Sequence, residues 1–172
     1  SMITAAGEAN MAMLAAKLIA AGKTPEEVIT QLEHLRDTTE VYFVVDNLSH
    51  LVRTGRLSNA SRLVGHLLRI KPVLTFEDGK IVAIEKERTM RRAYAAIKAK
   101  LAAAIAATDY PLRITIVNGN NPKLQAAWVA DIAESFPGLT IDQSEIGPVV
   151  GVHVGEGVMG LFWAKDWEKW PE

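Results

Sequence analysis

The sequence predicts an α/β protein, in which helices pack on a mixed, α+β-like sheet. Two patterns and the composition support this fold class. Short apolar runs rich in β-branched and aromatic residues, such as residues 41–45, have the length of buried strands. Between them lie segments whose apolar residues recur at intervals of three and four, as on one face of a helix. With 49% hydrophobic and 23% charged residues, the 172-residue chain has the composition of a single soluble globular core.

The first two elements are predicted to be helices. One covers residues 11–19 and ends before Gly22. The next begins at Thr24 as the N-cap, with Pro25 at the first helical position and Glu27 completing a capping box. This second helix is expected to bury four apolar side chains, namely Val28, Ile29, Leu32 and Leu35.

A buried strand and two short helices are predicted next. Residues 41–45 form a continuous apolar run, which is typical of a strand covered on both faces. A short helix through Leu51 follows and ends at the turn 53–56. A further short helix is predicted to begin at Ser58 or Asn59.

A β-hairpin and a long helix are predicted after residue 70. Strands at 71–76 and 81–87 flank a turn at 77–80. The helix that starts at Thr89 has a single apolar stripe, made of Met90, Tyr94, Ile97, Leu101 and Ile105.

The last third of the chain is predicted to contain three strands and one helix. The strands are placed at 112–117, 139–141 and 158–163. The helix follows the first of these strands and carries Leu124, Trp128, Ile132 and Phe136 at intervals of four. Residues 146–157 are rich in glycine and are expected to form turns. Three tryptophans near the end are expected on one helical stripe that packs on its own domain: Trp163, Trp167 and Trp170.

Several classes of protein are excluded or disfavoured. The chain has no cysteine, which excludes disulfides, thiolate catalysis and zinc–thiolate sites and fits a cytoplasmic protein. It has no uncharged apolar run long enough to span a membrane. It also lacks the phosphate-binding glycine signatures and the nucleophile elbow. His34, His50 and His66 do not have the spacing of metal ligands. Binding is therefore a better inference than catalysis, and no cofactor is expected.

The charge of the chain is unevenly distributed. Residues 53–100 contain twelve Lys and Arg and only four acidic residues, a balance of +8, although the whole chain has a net charge of −1. Such a segment indicates an anionic ligand or partner. The alternative is a solvated helix face with scattered charge.

His153 is the main candidate for a binding residue. It lies between Gly151 and the pair Gly155 and Gly157. Glycines let the backbone approach a ligand and leave amides for an anion, and an imidazole can donate to a carboxylate. The alternative is a core histidine that bonds a carbonyl, beside glycines needed only for a turn.

Two arginines are further candidates for anion contacts. Arg56 follows Gly55 in a turn, where a guanidinium suits bidentate recognition of a carboxylate or phosphate. The alternative for this turn is an ion pair with Asp46 or Glu87. Arg88 lies between the hairpin and the long helix, where free amides also favour an anion. An ordinary capped helix start is the alternative there.

These motifs together resemble the DegV family. Their order and spacing cover residues 40–165, so residues 1–39 are interpreted as a two-helix attachment and residues 166–172 as a tryptophan-containing tail. The segments that carry the resemblance are 43–48, 51–57, 67–74, 78–81, 86–89 and 147–157.

The resemblance implies a role in lipid binding. Members are two-lobed α/β proteins that bury a long-chain fatty acid between their lobes and present its carboxylate to a fatty-acid kinase subunit, which itself carries ATP and magnesium. This chain is similar to the C-terminal lobe. The resemblance assigns the carboxylate to His153, together with hydroxyl groups of the N-terminal lobe, and the kinase-docking surface to Arg56 and Arg88. The backbone support is assigned to Gly55, Gly151, Gly155 and Gly157. The protein is thus expected to be an accessory subunit rather than an enzyme.

The sequence also departs from the family pattern. Thr54 replaces a usual glycine, and Glu156 replaces a usual proline and brings a negative charge close to the expected carboxylate site. The N-terminal lobe is missing, so the chain is interpreted as a truncated form with an incomplete site, whose uncovered face is expected to favour a homodimer.

Two other functions remain open from the sequence. One is a polyanion-binding or nucleic-acid-binding module that uses residues 53–100, although few aromatic residues accompany those basic ones. The other is a small transferase that acts on a phosphorylated metabolite through Arg56, Arg88 and His153.

Overall fold

A six-stranded mixed sheet organises the protein. The computed structural model describes residues 4–58 and 70–169. The sheet order is β3-β2-β1-β6-β4-β5, in which β4 and β5 are parallel and the other neighbours are antiparallel. This confirms the predicted mixed α/β class. The strands are β1 (Glu40–Val44), β2 (Lys71–Glu77), β3 (Lys80–Glu87), β4 (Leu112–Asn118), β5 (Thr140–Glu145) and β6 (Met159–Lys165).

Helices cover both faces of the sheet. Of the two short helices predicted between residues 46 and 70, the first is present, and the second, after Ser58 or Asn59, falls outside the described residues. The helices are α1 (Ala6–Ala20), α2 (Pro25–Asp37), α3 (Ser49–Arg53), α4 (Met90–Ala107), α5 (Pro122–Ser135) and α6 (Pro148–Val154), with a 3₁₀ turn at Trp167–Lys169.

The sheet separates two hydrophobic cores. On one face α4 and α5 pack through side chains such as Ile97, Leu101 and Trp128. On the other face α3, α6 and the start of α1 pack over Phe43, Phe162 and neighbouring residues. Because β1 contributes to both cores, its residues form the continuous apolar run that predicted a strand covered on both faces.

Local signals in the sequence correspond to local structure. The capping box of α2 is present: Thr24 Oγ1 accepts from the Glu27 amide, and a Glu27 carboxylate oxygen accepts from the Thr24 amide. The hairpin between β2 and β3 turns through Asp78 and Gly79, both with positive φ. Positive φ at both central residues suits the right-handed twist of the strands, and glycine adopts it without strain.

The expected burial of α2 is only partly correct. Val28 and Leu35 are buried and Leu32 is half-buried, but Ile29 is 58% exposed. Leu32 and Leu35 pack against a small core that includes Leu14 and Trp167. Ile29 lies on another side of the helix, so the predicted stripe is wider than the buried one.

The predicted tryptophan stripe is wrong. Trp163 is a strand residue in β6 and faces the core beneath α4 and α5. Trp167 follows in the 3₁₀ turn, where its indole Nε1 donates to Asn10 Oδ1 and attaches the end of the chain to α1. Trp170 lies outside the described residues. The even spacing of the three residues therefore does not reflect a helix.

A buried ion network connects β4, β5 and the 3₁₀ turn. The side chain of Arg113, which is 9% exposed, donates to both carboxylate oxygens of Asp142 and contacts Asp166 and Glu168. Burial alone would raise the pKa of Asp166, but hydrogen bonds from the side chains of Thr140 and Lys169 and from the Glu168 amide hold it below its ordinary value. The network therefore stabilises the carboxylate form of Asp166.

Candidate functional site

His153 lies in a helix rather than in a glycine turn. Residues 148–154 form α6, with Gly147 as its N-cap and Pro148 at the first helical position. Proline is preorganised for this position because its φ is fixed and no amide is needed there. Helix α6 continues through Gly151, and His153 lies in its last turn. The expectation that turns surround the imidazole is therefore wrong on its N-terminal side.

The glycine amides are not available to an anion. Those of Gly151 and Gly155 continue the hydrogen bonding of α6, to Gly147 O and Gly151 O. The Gly157 amide donates to Gly119 O, and the Gly55 amide donates to Val52 O. All four amides predicted to support a ligand are thus satisfied within the backbone, which corrects that prediction.

Two of these glycines instead allow close packing after α6. Gly155 and Gly157 both have positive φ. A Cβ atom at residue 155 would lie 3.0 Å from His50 Cδ2, and one at residue 157 would lie 3.1 Å from Asp46 Cβ. The turn therefore sits tightly against α3 and the end of β1, which fixes the position of the end of α6 that carries His153.

A cavity of about 560 Å³ lies between the sheet and α6. Its volume is within the range of small-molecule sites and, at roughly 30 Å³ per water-sized group, has room for about 18 such groups. The walls are mainly apolar and come from all strands except β5, from α6 and from residues close to α1. They include Phe43, Phe76, Ile81, Val117, Val150, Val154 and Phe162.

The polar lining of the cavity is basic. Among the described residues that line it, the charged ones are Arg56 and Lys80, and Thr4, Ser58 and His153 are the uncharged polar ones. No Asp or Glu is among them. Glu156, expected to be close to a bound carboxylate, does not line the cavity, and its Oε1 accepts instead from the Asn120 amide group. An apolar space with only basic charge suits a long apolar anion.

The ring of His153 lines the cavity and has a free polar edge. Its Nδ1 is buried, and neither ring nitrogen bonds another described residue. Burying an N–H group without an acceptor costs more free energy than burying a nitrogen acceptor without a donor. The buried Nδ1 is therefore expected to be the unprotonated nitrogen of the neutral ring, and Nε2 to carry the proton. Because Nδ1 is enclosed, Nε2 is the nitrogen that can donate to a ligand.

The structure places Arg56 and His153 on the lining of one cavity and Arg88 away from it. Leu57, next to Arg56, pairs with Ile81 near the start of β3, whereas Arg88 follows the end of that strand. The stretch from Ile81 to Arg88 spans roughly 23 Å in an extended chain. Arg88 does not line the cavity. The three residues therefore do not form one wall.

The basic segment is partly neutralised by neighbouring carboxylates. Three of its lysines form ion pairs: Lys71 with Asp46, Lys98 with Asp131, and Lys100 with Glu85. Arg62 and Arg69 lie outside the described residues. Part of the positive charge that predicted a polyanion surface is thus balanced locally. No ion pair joins Arg56 to another residue within the described ranges.

Sequence reasoning missed part of the cavity lining. Lys80 and Ser58 join it because β3 and residue 57 pair side by side, a contact that no local motif indicates. The aromatic residues Phe43 and Phe162 carried a usable signal, since each lies at an inward position of a predicted strand. Strand periodicity alone does not say whether such a face is filled or hollow.

The described residues contain no group of three or more His, Asp or Glu side chains placed to hold a metal ion. None of the helices in residues 4–58 and 70–169 has the length and apolar character needed to cross a membrane.

Comparisons with known proteins indicate one family. The sequence model of the uncharacterised DegV family matches residues 1–166. A DegV domain-containing protein of Halalkalibacterium halodurans is 40% identical over 163 residues, which is 95% of this chain and 57% of that protein. Protein DegV of Bacillus subtilis is 36% identical over 164 residues, covering 95% of this chain and 58% of that protein.

Solved structures give the same result. DegV of Bacillus subtilis, described as a fatty acid binding protein, matches with a TM-score of 0.84 at 35% identity, over 96% of this chain and 58% of that one. A fatty acid binding DegV family protein of Streptococcus agalactiae matches with a TM-score of 0.87 at 29% identity, over 96% and 58%. The chain therefore spans less than two thirds of the relatives it matches.

Proposed function

The chain belongs to the DegV family, and from this premise we propose that it binds a long-chain fatty acid in the cavity beneath α6. The observation that carries the proposal is the lining of this cavity: its walls are apolar, and the charged side chains among its described residues are basic. Fatty acid binding is also the stated property of the structural relatives from Bacillus subtilis and Streptococcus agalactiae.

The apolar walls supply most of the affinity in this proposal. Each methylene group transferred from water contributes about 0.8 kcal/mol. A chain that fills the volume thus gains several kcal/mol before the cost of ordering it, which is the reason to expect a long-chain acid. The walls include the aromatic side chains of Phe43, Phe76 and Phe162.

The carboxylate is proposed to lie between His153 and Arg56. The Nε2–H of His153 donates one charge-assisted hydrogen bond, and the exposed guanidinium of Arg56 adds charge and a second donor. Since Glu156 does not line the cavity, the repulsion expected from its position in the sequence does not oppose this arrangement.

Presentation of the carboxylate to a kinase subunit belongs to the same proposal. Arg56 lies beside the cavity and Arg88 beyond the opposite end of β3, so a docking partner that contacts both must extend along the edge of the sheet. The chain itself acts as a binding subunit in this scheme. Hydroxyl groups from the part of the relatives that this chain does not cover complete the carboxylate site.

A homodimer through α6 is a related proposal. Val149 and Val152 are 78% and 62% exposed, and Val149 also lines the cavity. Covering this apolar surface is favourable in water. Sedimentation of the chain at increasing concentration tests the proposal: Val152→Glu is expected to shift the equilibrium to monomer, and an unchanged monomer–dimer ratio argues against it.

A matched pair of substitutions tests fatty acid binding. Val149→Glu adds a carboxylate to the cavity lining, whereas Val152→Glu adds the same charge on the same helix outside the lining. Two like charges about 4 Å apart repel by about 1 kcal/mol or more, so Val149→Glu is expected to weaken stearate binding at least about fivefold. Val152→Glu is expected to bind like the unmodified chain.

The binding experiment has two parts. Lipid extracted from the natively purified chain is identified by mass spectrometry, and the delipidated chain is titrated with stearate by calorimetry. A bound fatty acid and a saturable titration support the proposal. No extracted acid together with no titration, or equal affinities of the two glutamate variants, overturns it. Titration with heparin in low salt serves as the comparison for polyanion binding.

A further inference from the structure

Gly160 occupies an unusual position for a glycine. It lies inside β6, a central strand, and is buried. It pairs with Phe43 of β1 on one side and Val117 of β4 on the other, and all three line the cavity. The floor of the cavity therefore contains a stretch of backbone with no side chain, between two large apolar neighbours.

Backbone conformation does not require glycine at this position. The other glycines of the described lining, Gly55 and Gly79, have positive φ, as their turns demand. Gly160 does not, so an L-amino acid can adopt its conformation. Glycine in a strand interior is also intrinsically unfavourable, because it loses more entropy on folding and packs no side chain.

Packing does not require glycine there either. The nearest heavy atoms to a Cβ at residue 160 would be Phe162 Cε2 and Phe43 Cβ, both at 3.4 Å, the close limit of ordinary van der Waals contact. At Gly119, by contrast, a Cβ would lie 2.5 Å from Val158 Cγ1. A methyl group thus fits the protein around Gly160, and the space that it would remove belongs to the cavity.

We propose that Gly160 is a specificity-determining residue, which sets how much acyl chain the cavity accepts by letting the chain lie directly on the β6 backbone. This inference rests on the proposed fatty acid binding and adds the residue that limits the ligand. A strand glycine often marks a close approach by a ligand. Here Phe43 on β1 and Val117 on β4 would flank the acyl chain.

The test measures chain-length preference rather than affinity alone. Saturated acids from decanoic to stearic, two carbons apart, displace a fluorescent fatty acid from the unmodified chain and from Gly160→Ala and Gly160→Val. Each excluded methylene group costs about 0.8 kcal/mol, or about fourfold in affinity. The affinity for stearate is expected to fall at least about fourfold in Gly160→Ala and further in Gly160→Val, whereas the affinity for decanoate is expected to stay unchanged.

Two further variants support the test. Gly147→Ala adds the same methyl group at a position that has no neighbour within 4 Å and does not line the cavity, so its length profile should match that of the unmodified chain. Phe162→Leu enlarges the same part of the floor and is expected to move the preference towards longer acids. Denaturant unfolding checks that each variant is folded. If a larger residue at position 160 unfolds the chain, Phe162→Leu still tests the inference, because it enlarges the cavity instead of reducing it.

The outcomes separate the two proposals. If the unmodified chain binds none of the acids, fatty acid binding itself is wrong. If it binds them but the Gly160 variants keep its length profile, or lose all acids by the same factor, the role of Gly160 is overturned. A shortened optimum in Gly160→Ala and a lengthened one in Phe162→Leu support the inference.

Discussion

The proposed carboxylate contact can be tested by replacing His153. His153→Ala removes the Nε2–H donor from the cavity lining, where no other described residue bonds the ring. A hydrogen bond to a charged group contributes about 1.5–3 kcal/mol. Because His153 is half-buried and not sealed, we expect the lower part of this range, which corresponds to about 10- to 30-fold weaker stearate binding.

The choice of substitutions also tests which ring nitrogen acts. The side-chain amide of glutamine reaches the position of Nε2, whereas that of asparagine reaches the position of the enclosed Nδ1. His153→Gln is therefore expected to retain more affinity than His153→Asn. His34→Ala, at an exposed position on α2, is the matched control and should bind like the unmodified chain.

Calorimetric titration with stearate and with the alcohol of the same length separates the carboxylate contact from the apolar ones. His153→Ala should weaken stearate strongly and the alcohol little, because the alcohol lacks the charge. Equal losses for the two ligands would refute the assigned hydrogen bond and indicate a packing role. Better rescue by asparagine than by glutamine would refute the assignment to Nε2.

Three further predictions follow from the geometry. Arg56→Ala should weaken stearate binding about two- to fivefold, and this loss should disappear in high salt. Arg88→Ala should leave the affinity unchanged, because Arg88 does not line the cavity. Equal effects of the two substitutions in calorimetry would contradict these different roles. Arg113→Met removes the guanidinium that donates to both carboxylate oxygens of Asp142, while Asp166 keeps Lys169, Thr140 and the Glu168 amide, so the free energy of unfolding should fall by about 1.5–3 kcal/mol. Denaturant unfolding measures this loss, and a change below about 1 kcal/mol would show that the network contributes little. Folding lowers the pKa of Asp166, so its carboxylate contributes fully to the free energy of unfolding above its unfolded pKa near 4, and this contribution is lost as pH falls through the folded pKa. Asp166→Asn should therefore make the free energy of unfolding depend less on pH in the acid range. An unchanged slope would contradict this.

Signals that act within a few residues predicted the structure well. The capping box at Thr24 and the hairpin turn at Asp78 and Gly79 depend on backbone groups close in sequence, so their residues determine the local conformation. The continuous apolar run of β1 also predicted burial on both faces, because both sides of a central strand are covered. Domain boundaries at residues 39 and 166 stay predictions, although Trp167 and α1 are in contact.

Signals that depend on distant partners were less informative. Gly151 argued for a turn, yet α6 continues through it, because Pro148 starts the helix and Gly155 ends it. The glycine amides were predicted to be available to an anion, but they donate to backbone carbonyls, one of which, Gly119 O, is distant in sequence. Arg56 follows a turn and Arg88 follows the hairpin, and only the length of β3 between them shows that they are far apart. Sequence identifies candidate groups here, while strand pairing decides which of them meet.

The two faces of the sheet differ in how completely the space beside them is filled. Protein interiors usually pack as densely as organic crystals. On the face under α4 and α5 the core side chains are in contact, as shown by Tyr94, which stacks on Trp128 at 4.3 Å between ring centroids. The opposite face leaves about 560 Å³ between its strands and α6 and so forgoes the dispersion contacts that filling would give. The lining contains large aromatic side chains, so apolar side chains that could fill this space are present. Gly160 lies at its floor although glycine there is required neither by the backbone nor by the neighbours, and this is the reason for proposing that an acyl chain occupies the space.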